Sequence, residues 1–323
     1  MDEFSLINKI KQSYYRQASL IKGVGDDGAV FRETAEDIVT VTDMFVEGVH
    51  FTRQTMTPKQ IGYKALAGNL SDLAAMGAKP MFYLVSIVVP SSWQEDVIAL
   101  YKGMESIAKT FQIDLIGGDT VSGEQLTVSI TMIGRVLSER VRYRSLAKPG
   151  DILFVTGTLG DSQAGLFLLQ SKQTFRNEQY FIKRHQYPFP RVSFSLALEE
   201  IDRIAFNDIS DGLMSEAKEI AIASGVNLVI DDSLIPIDPN FYQFNLKQQE
   251  EWKLFGGEDF ELLGATSPRN WERIKMIAKN TNTPVTKIGY VESLNHKDED
   301  GEVFLIVKGK KKIVNRRGYT HLT

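Results

Sequence analysis

Apolar and polar positions follow two different periods along this chain, and its first half passes back and forth between them. DIVTVTDM, residues 37–44, is β-branched and alternates, which predicts a strand ending at Asp43. TPKQIGYKALAGNLSDLAAMG takes the helical period, with Thr57 as N-cap, Pro58 at the first helical position and Gly77 as the stop. The apolar face of that helix runs through Ile61, Ala65, Leu66, Leu73 and Met76, and the polar Asn69 interrupts it. MFYLVSIVV, residues 81–89, is a continuous apolar run and reads as a strand buried on both faces. Ser92 followed by Glu95 predicts a capping box for a helix reaching about Gln112. IDLIGGDT reads as a strand running into glycines, and QLTVSITMIGRV as a long strand.

Between residues 137 and 150 the pattern breaks. SERVRYRSLAKPGD carries Arg140, Arg142, Arg144 and Lys148 ahead of Pro149 and Gly150 and has no helical face, so a domain boundary is expected there, dividing residues 1–137 from 138–323. The second half opens with ILFVTGTLGDSQAGLFLL, a strand, a glycine loop and a helix. Helices are expected from about Glu178, Val192 and Asp211, and a strand from Val226. FELLGAT, TPVTKIGYV and EVFLIVKG supply later strands, with SPRNWERIKMIAKN helical among them. NHKDEDGE reads as a charged turn, and KGKKK, residues 308–312, as a solvated hairpin tip. Both halves are mixed α/β (α+β), and both present glycine–aspartate loops at strand ends.

Composition narrows the class. The 323 residues fit two domains at about 150 residues each. With 43% hydrophobic and 24% charged residues the chain reads as a soluble globular protein. It has no cysteine, which excludes a disulfide framework, thiolate catalysis and cysteine-ligated metals. A net charge of -4 argues against nucleic acid as the main ligand. The opening MDEFSLINKI is acidic and lacks the apolar core of a signal peptide, and no stretch approaches the ~20 apolar residues of a membrane span. A cytoplasmic protein without a membrane partner is expected.

The acidic residues carry the chemistry. Asp26 and Asp27 stand between glycines in GVGDDGAVF, Asp43 ends VTD, and Asp119 ends IGGD. Asp208 and Asp211 lie in NDISDG, Glu258 and Asp259 in GGEDFEL, and Asp72 sits within a helix, where aspartate is a poor choice. Any one of these suits a turn or a cap. So many together, without an imidazole or thiolate cluster, suit hard divalent cations, which take oxygen ligands. The four histidines (His50, His185, His296 and His321) lack metal-pair spacing, and no twelve-residue calcium loop is present. A cleft so acidic would repel a polyphosphate unless magnesium ions lay between them. GTLGDSQ follows a strand as a phosphate loop would, but it lacks the Gly-Lys-Ser/Thr ending and reads as a tight turn.

The ordered set GVGDD, VTD, GVHF, NLSDLAAMGA, LIGGDT, AKPGD, VTGTLGDS, DISDGL, GGEDFEL and RRGYTH resembles the thiamine-monophosphate kinase family, from Gly23 to His321. The wider superfamily includes aminoimidazole ribonucleotide synthetase, selenophosphate synthetase and a hydrogenase-maturation dehydratase, several of which share the shorter acidic motifs. The resemblance implies a two-domain aminoimidazole ribonucleotide synthetase-like fold. Its N-terminal Mg-ATP-binding domain would dimerise through its sheet, and its C-terminal domain would close over the active site. It implies phosphorylation of thiamine monophosphate by ATP in a homodimer with several Mg2+ ions. Carried over by motif, Asp27, Thr42, Asp43, Asp72, Asp119, Asp208 and Asp211 would hold metal. Gly118, Asp119, Arg144 and Ser210 would contact ATP, and His50, Glu258 and Tyr319 the thiamine substrate. Relatives often carry a hydroxyl residue where this chain has Val41.

The acceptor would be a phosphate oxygen, already deprotonated near neutrality, so no general base is assigned. Two alternatives stay open: another ATP-dependent superfamily member such as aminoimidazole ribonucleotide synthetase, and a catalytically silent Mg-nucleotide-binding module. Selenophosphate synthetase and the hydrogenase-maturation enzyme use cysteines that this chain lacks.

Overall fold

The computed structural model describes residues 9, 10, 12, 14–22, 30, 31, 36–294, 300–316 and 318. The chain divides into two compact units, Met1–Leu73 with Ala78–Glu139, and Ala74–Gly77 with Arg140–Thr323. In the first, a short pair β1 (Leu20–Lys22) and β2 (Val30–Phe31) precedes β3 (Asp37–Val46), which runs two residues beyond the alternation read above. Helix α1 (Pro58–Ala75) begins as predicted, with Gln60 Oε1 accepting from the Thr57 amide at 2.7 Å and Gly77 in the left-handed region after its end. Next come β4 (Lys79–Val89), α2 (Val97–Phe111), β5 (Asp114–Ser122) and β6 (Thr127–Val136). Ser92 forms no capping box, because it lies in a 3-10 turn and α2 starts only at Val97 without a side-chain cap.

The strands make a four-stranded sheet in the order β3-β6-β4-β5, antiparallel except for β4 and β5. Its packed face is built from Val128, Ile130 and Met132 of β6, alternate residues of one strand, and the opposite set on β6 is only half-buried. Burial of β4 on both faces holds only as far as Tyr83. From Leu84 onward it alternates, and Ser86 is exposed. Helices α1 and α2 cross at a pair of glycines. A Cβ on Gly62 would lie 1.9 Å from the Leu100 carbonyl oxygen, and one on Gly103 would lie 2.0 Å from that of Lys59.

The second unit contains β7 (Ile152–Thr156), α3 (Asp161–Gln170), α4 (Glu178–Gln186), α5 (Val192–Ala197), β8 (Ala205–Asp208), α6 (Leu213–Ser224) and β9 (Val226–Asp231). Then follow α7 (Leu246–Phe255), β10 (Leu262–Thr266), α8 (Trp271–Asn280), β11 (Val285–Ser293), β12 (Val303–Val307) and β13 (Lys310–Ile313). Seven strands pair in the order β13-β12-β9-β11-β7-β10-β8, and only β12 with β9 is parallel. The helix expected from Asp211 begins two residues later, at Leu213. Helix α7, which the apolar pattern did not reveal, is started by an Asn245–Gln248 capping box and buries Trp252 and Leu254. Lys308 and Gly309, both at positive φ, form a hairpin tip between β12 and β13, while Lys310–Lys312 of the expected tip are paired residues of β13. Most of the NHKDEDGE segment lies outside the described residues.

Buried carboxylates lock the loop that precedes β10. Glu261 is fully buried and accepts from Arg191 Nε at 2.6 Å, Arg184 Nη2 at 2.8 Å and the Thr156 hydroxyl at 2.6 Å. Burial alone would raise its pKa, but Arg191 and Arg184 outweigh that and hold it below the ordinary carboxylate range. Asp259 turns the other way and accepts from the amides of Gly160 at 2.6 Å and Ser162 at 2.9 Å, at the start of α3. The N–H groups that a phosphate loop would offer at GTLGDSQ are thus taken by a carboxylate of the protein itself, as the tight-turn reading requires. Glu258 and Phe260, on either side of Asp259, both adopt positive φ, 65° and 50°. That strain is held by this clamp and by backbone pairing, with Glu258 N–H donating to Ser210 O at 2.7 Å and Phe260 N–H to Ile209 O at 3.0 Å.

Burial pushes the Asp259 carboxyl from 3.8 up to about 7, against the pull of its two amide donors and Arg184. Between these values the unfolded chain has lost the proton and the folded chain keeps it, so this group makes stability fall as pH rises from about 4 to about 7. Asp259→Asn cannot titrate. Denaturant unfolding in EDTA should therefore show wild-type stability, relative to this variant, declining across that window and levelling above it. A difference that stays flat with pH would contradict the assignment.

Candidate active site

In the first unit the acids meet between β3 and α1. Asp43 pairs across the sheet with Ile130, and its side chain is hydrogen-bonded to Asp72 of α1. The surrounding protein raises the Asp43 pKa, while the Asp72 hydrogen bond and the His50 charge pull it down. One carboxylate is thus the neighbour of another, an arrangement that favours either a shared proton or a cation. Thr42, next along the strand, turns to the opposite face, where its hydroxyl donates to Ile130 O at 3.1 Å and lies 3.3 Å from the Thr131 hydroxyl. The two adjacent side chains therefore do not converge. His50 sits just beyond the end of β3, its Nδ1 accepting from the Val46 amide at 3.1 Å and its ring 5.2 Å from that of Phe45.

Gly118 and Asp119 lie in β5, in register with Val85 and Ser86 of β4. Only glycine fits at 118, because a Cβ there would meet the Val85 carbonyl oxygen at 1.9 Å. Asp119 is exposed, with Oδ1 accepting from the Thr120 amide at 2.9 Å. Asn69, the polar break in the helical face, is fully buried; its amide donates to Ala65 O at 3.1 Å and its Oδ1 has no hydrogen-bond partner.

In the second unit the acids gather where β8 ends. Asp208 is buried, and Ser210 and Asp211 are half-buried in the turn to α6. Behind them lies Glu216 of α6, which sequence reasoning missed. Burial, and then the charge of Asp208, push its carboxyl up to about 8, opposed by a hydrogen bond from the Asp211 amide and by the charge of Arg144. Its signal was available: Leu213, Ala217 and Ile220 form the buried stripe of α6, and Glu216 stands within that stripe. Arg144 is exposed and donates from Nε to Asn207 Oδ1 at 3.0 Å. Glu258 is half-buried, with Oε2 3.8 Å from His185 Nδ1, which is also 3.1 Å from the Ser162 hydroxyl.

Asp26, Asp27, Tyr319 and His321 lie outside the described residues. Gly318, beside Tyr319, donates its N–H to the Ser215 hydroxyl at 2.6 Å. Among the described residues no group of three or more acids or histidines forms a ready metal cage. Among the predicted ligands Asp43 lies against Asp72, Asp208 and Asp211 both lie near Glu216, and every donor is oxygen. That fits magnesium, which takes one or two protein carboxylates and completes its shell with water and phosphate oxygens.

The model of the AIR synthase related protein N-terminal domain matches residues 25–136, and that of the C-terminal domain matches residues 148–300. The thiamine-monophosphate kinase of Bacillus subtilis (strain 168) is 45% identical over 329 residues, covering 99% of each chain. The crystal structure of thiamine-monophosphate kinase from Stenotrophomonas maltophilia K279a superposes with a TM-score of 0.83 at 30% identity, over 94% of this chain and 96% of that one. A structure described as AaThiL complexed with AMPPCP and TMP superposes with a TM-score of 0.77 at 31% identity, over 99% and 97%. With both halves matched and full-length relatives sharing one activity, the chain belongs to the AIR synthase related family and, within it, to the thiamine-monophosphate kinases.

Proposed function

We propose that this chain transfers the γ-phosphate of ATP to thiamine monophosphate, giving thiamine diphosphate and ADP, with Mg2+ required. The observation that carries the reading is the crowding of acid against acid, Asp43 with Asp72 in one unit and Asp208 with Glu216 in the other, in a chain matched end to end by kinases of this activity. Asp27, Asp43, Asp72, Asp119, Asp208 and Asp211 would hold the metal, with Thr42 less directly, since its hydroxyl is engaged on the other face of β3. Bound there, magnesium would neutralise both phosphates and stabilise charge on the transferring group.

The chain's own part is positioning. Gly118, Asp119, Arg144 and Ser210 would receive ATP, with Arg144 offering donors to a phosphate. His50, Glu258 and Tyr319 would receive thiamine monophosphate, Glu258 being fixed by its positive φ and able to face the positive thiazolium ring. The acceptor oxygen carries no proton to remove, so no side chain is needed as general base.

The same reading makes the chain a cytoplasmic homodimer that pairs through the first unit's sheet. Its support is the half-open sheet face, where Ile38 and Met44 of β3 and Val121 of β5 are exposed apolar residues. Among the described residues no helix is long and apolar enough to cross a membrane.

Chromatography of a reaction with ATP, thiamine monophosphate and Mg2+ should show ADP and thiamine diphosphate in equal amounts. Asp72→Asn should lose at least ~2 kcal/mol of transition-state stabilisation, about thirtyfold in rate, with melting unchanged. ADP without thiamine diphosphate would overturn the assignment. Light scattering should give twice the chain mass at micromolar concentration, and Met44→Glu should shift it toward the monomer. A monomeric wild type would count against pairing through this sheet.

A further inference from the structure

Two buried side chains lie between the arginine assigned to ATP and the loop assigned to metal, and the mechanism above uses neither. Arg144 Nε donates to Asn207 Oδ1 at 3.0 Å. Asn207 Nδ2 donates to Glu216 Oε2 at 2.5 Å, and Glu216 Oε1 accepts from the Asp211 amide at 3.1 Å. Asn207 is 2% exposed and Glu216 5% exposed, so water is a poor substitute for any of these bonds.

The direction of each bond is dictated by chemistry. An arginine Nε and a backbone amide can only donate, so both ends of the chain are donors. Asn207 must turn its carbonyl to Arg144, which leaves its NH2 facing Glu216. The residue at 216 therefore receives two donors and must supply an acceptor at each end of its head group, which the two oxygens of a carboxyl group do, protonated or not, and an amide, whose NH2 only donates, does not.

We propose that Asn207 and Glu216 are positioning residues, a single brace that sets the Arg144 guanidinium for the nucleotide and the Asp208–Asp211 loop for its cation. The proposal rests on the reading that Arg144 meets ATP and that Asp208 and Asp211 meet metal. Each site then feels the loss of the other's support. Glu216→Gln keeps size and burial, yet whichever way its amide turns, either the Asn207 NH2 or the Asp211 N–H faces another NH2. Turning Asn207 over to compensate would set its NH2 against Arg144.

The test compares wild type, Glu216→Gln, Arg144→Ala and the double variant. It measures KM for ATP and for thiamine monophosphate, the Mg2+ needed for half-maximal rate, and calorimetric binding of a nonhydrolysable ATP analogue. Glu216→Gln should weaken analogue binding and raise KM for ATP by about tenfold, the cost of leaving one buried donor without its acceptor. It should also raise the Mg2+ requirement and leave KM for thiamine monophosphate within about twofold. In the Arg144→Ala background its effect on analogue binding should shrink, because the brace has lost its nucleotide end. Should Glu216→Gln fail to fold, Asn207→Ala tests the same arm, since it leaves the Asp211 amide on Glu216.

Equal rises in both KM values, or effects that add in the double variant, would make the brace merely structural and overturn the proposal. An impaired Arg144→Ala beside an unimpaired Glu216→Gln would overturn it too, and leave the reading of Arg144 intact. Wild-type analogue binding in Arg144→Ala would overturn that reading itself, and the proposal with it.

Discussion

A carboxylate taken out of water must be met by a cation or by several N–H donors, and the architecture of this protein follows from how that demand is satisfied. Glu261 is met by Arg184 and Arg191, Asp259 by two amides at the start of α3, and Asp151 by Arg203 and the Lys148 amide. Each of these acids points into the second unit and fastens a loop. Asp43, which is exposed, and Asp72, which is half-buried, differ from these, and each has the other as its neighbour. Carboxylates with protein cations or amides around them hold the fold together, and in the proposed function the carboxylates set beside other carboxylates would receive a cation from solution.

The GGEDFEL segment shows both uses within four residues. Asp259 and Glu261 turn inward to opposite clamps, and Glu258 between Gly257 and Asp259 is held half-exposed in a left-handed backbone conformation. Removing either clamp would release the strain at Glu258 and Phe260 and with it the orientation of the outward acid. The NDISDG segment, paired to it through Ile209 and Ser210, is built on the same principle, with Asn207 inward and Asp208 and Asp211 at the strand end. Two acidic motifs far apart in sequence are in this way one rigid unit.

Much of this was legible in the sequence. Strand and helix periods gave most elements, because burial on one face imposes its period on the chain. Helix α7 escaped because its buried face rests on Trp252 and Leu254 within an otherwise polar run. The false capping box at Ser92 failed because Pro90 starts a 3-10 turn that uses up those residues before α2 can begin. At the site, the spacing of acids pointed to cations and phosphates, but it could not divide ligands from struts. Asp259 and Glu258 are adjacent letters with different burial, a distinction made only by backbone sign and by the amides of Gly160 and Ser162. Glu216 was overlooked although it stands within the buried stripe of α6, because a solvent-facing glutamate is the ordinary expectation on a helix.

In the proposed reaction, cations stand between these acids and the phosphates they serve. This arrangement is tested most directly by the affinity of wild-type protein for a nonhydrolysable ATP analogue as free Mg2+ is varied from EDTA upward. Binding should be negligible in EDTA, and the affinity should climb with Mg2+ more steeply than formation of the Mg-nucleotide complex alone explains. Binding of the metal-free nucleotide as tight as that of the magnesium complex would contradict it.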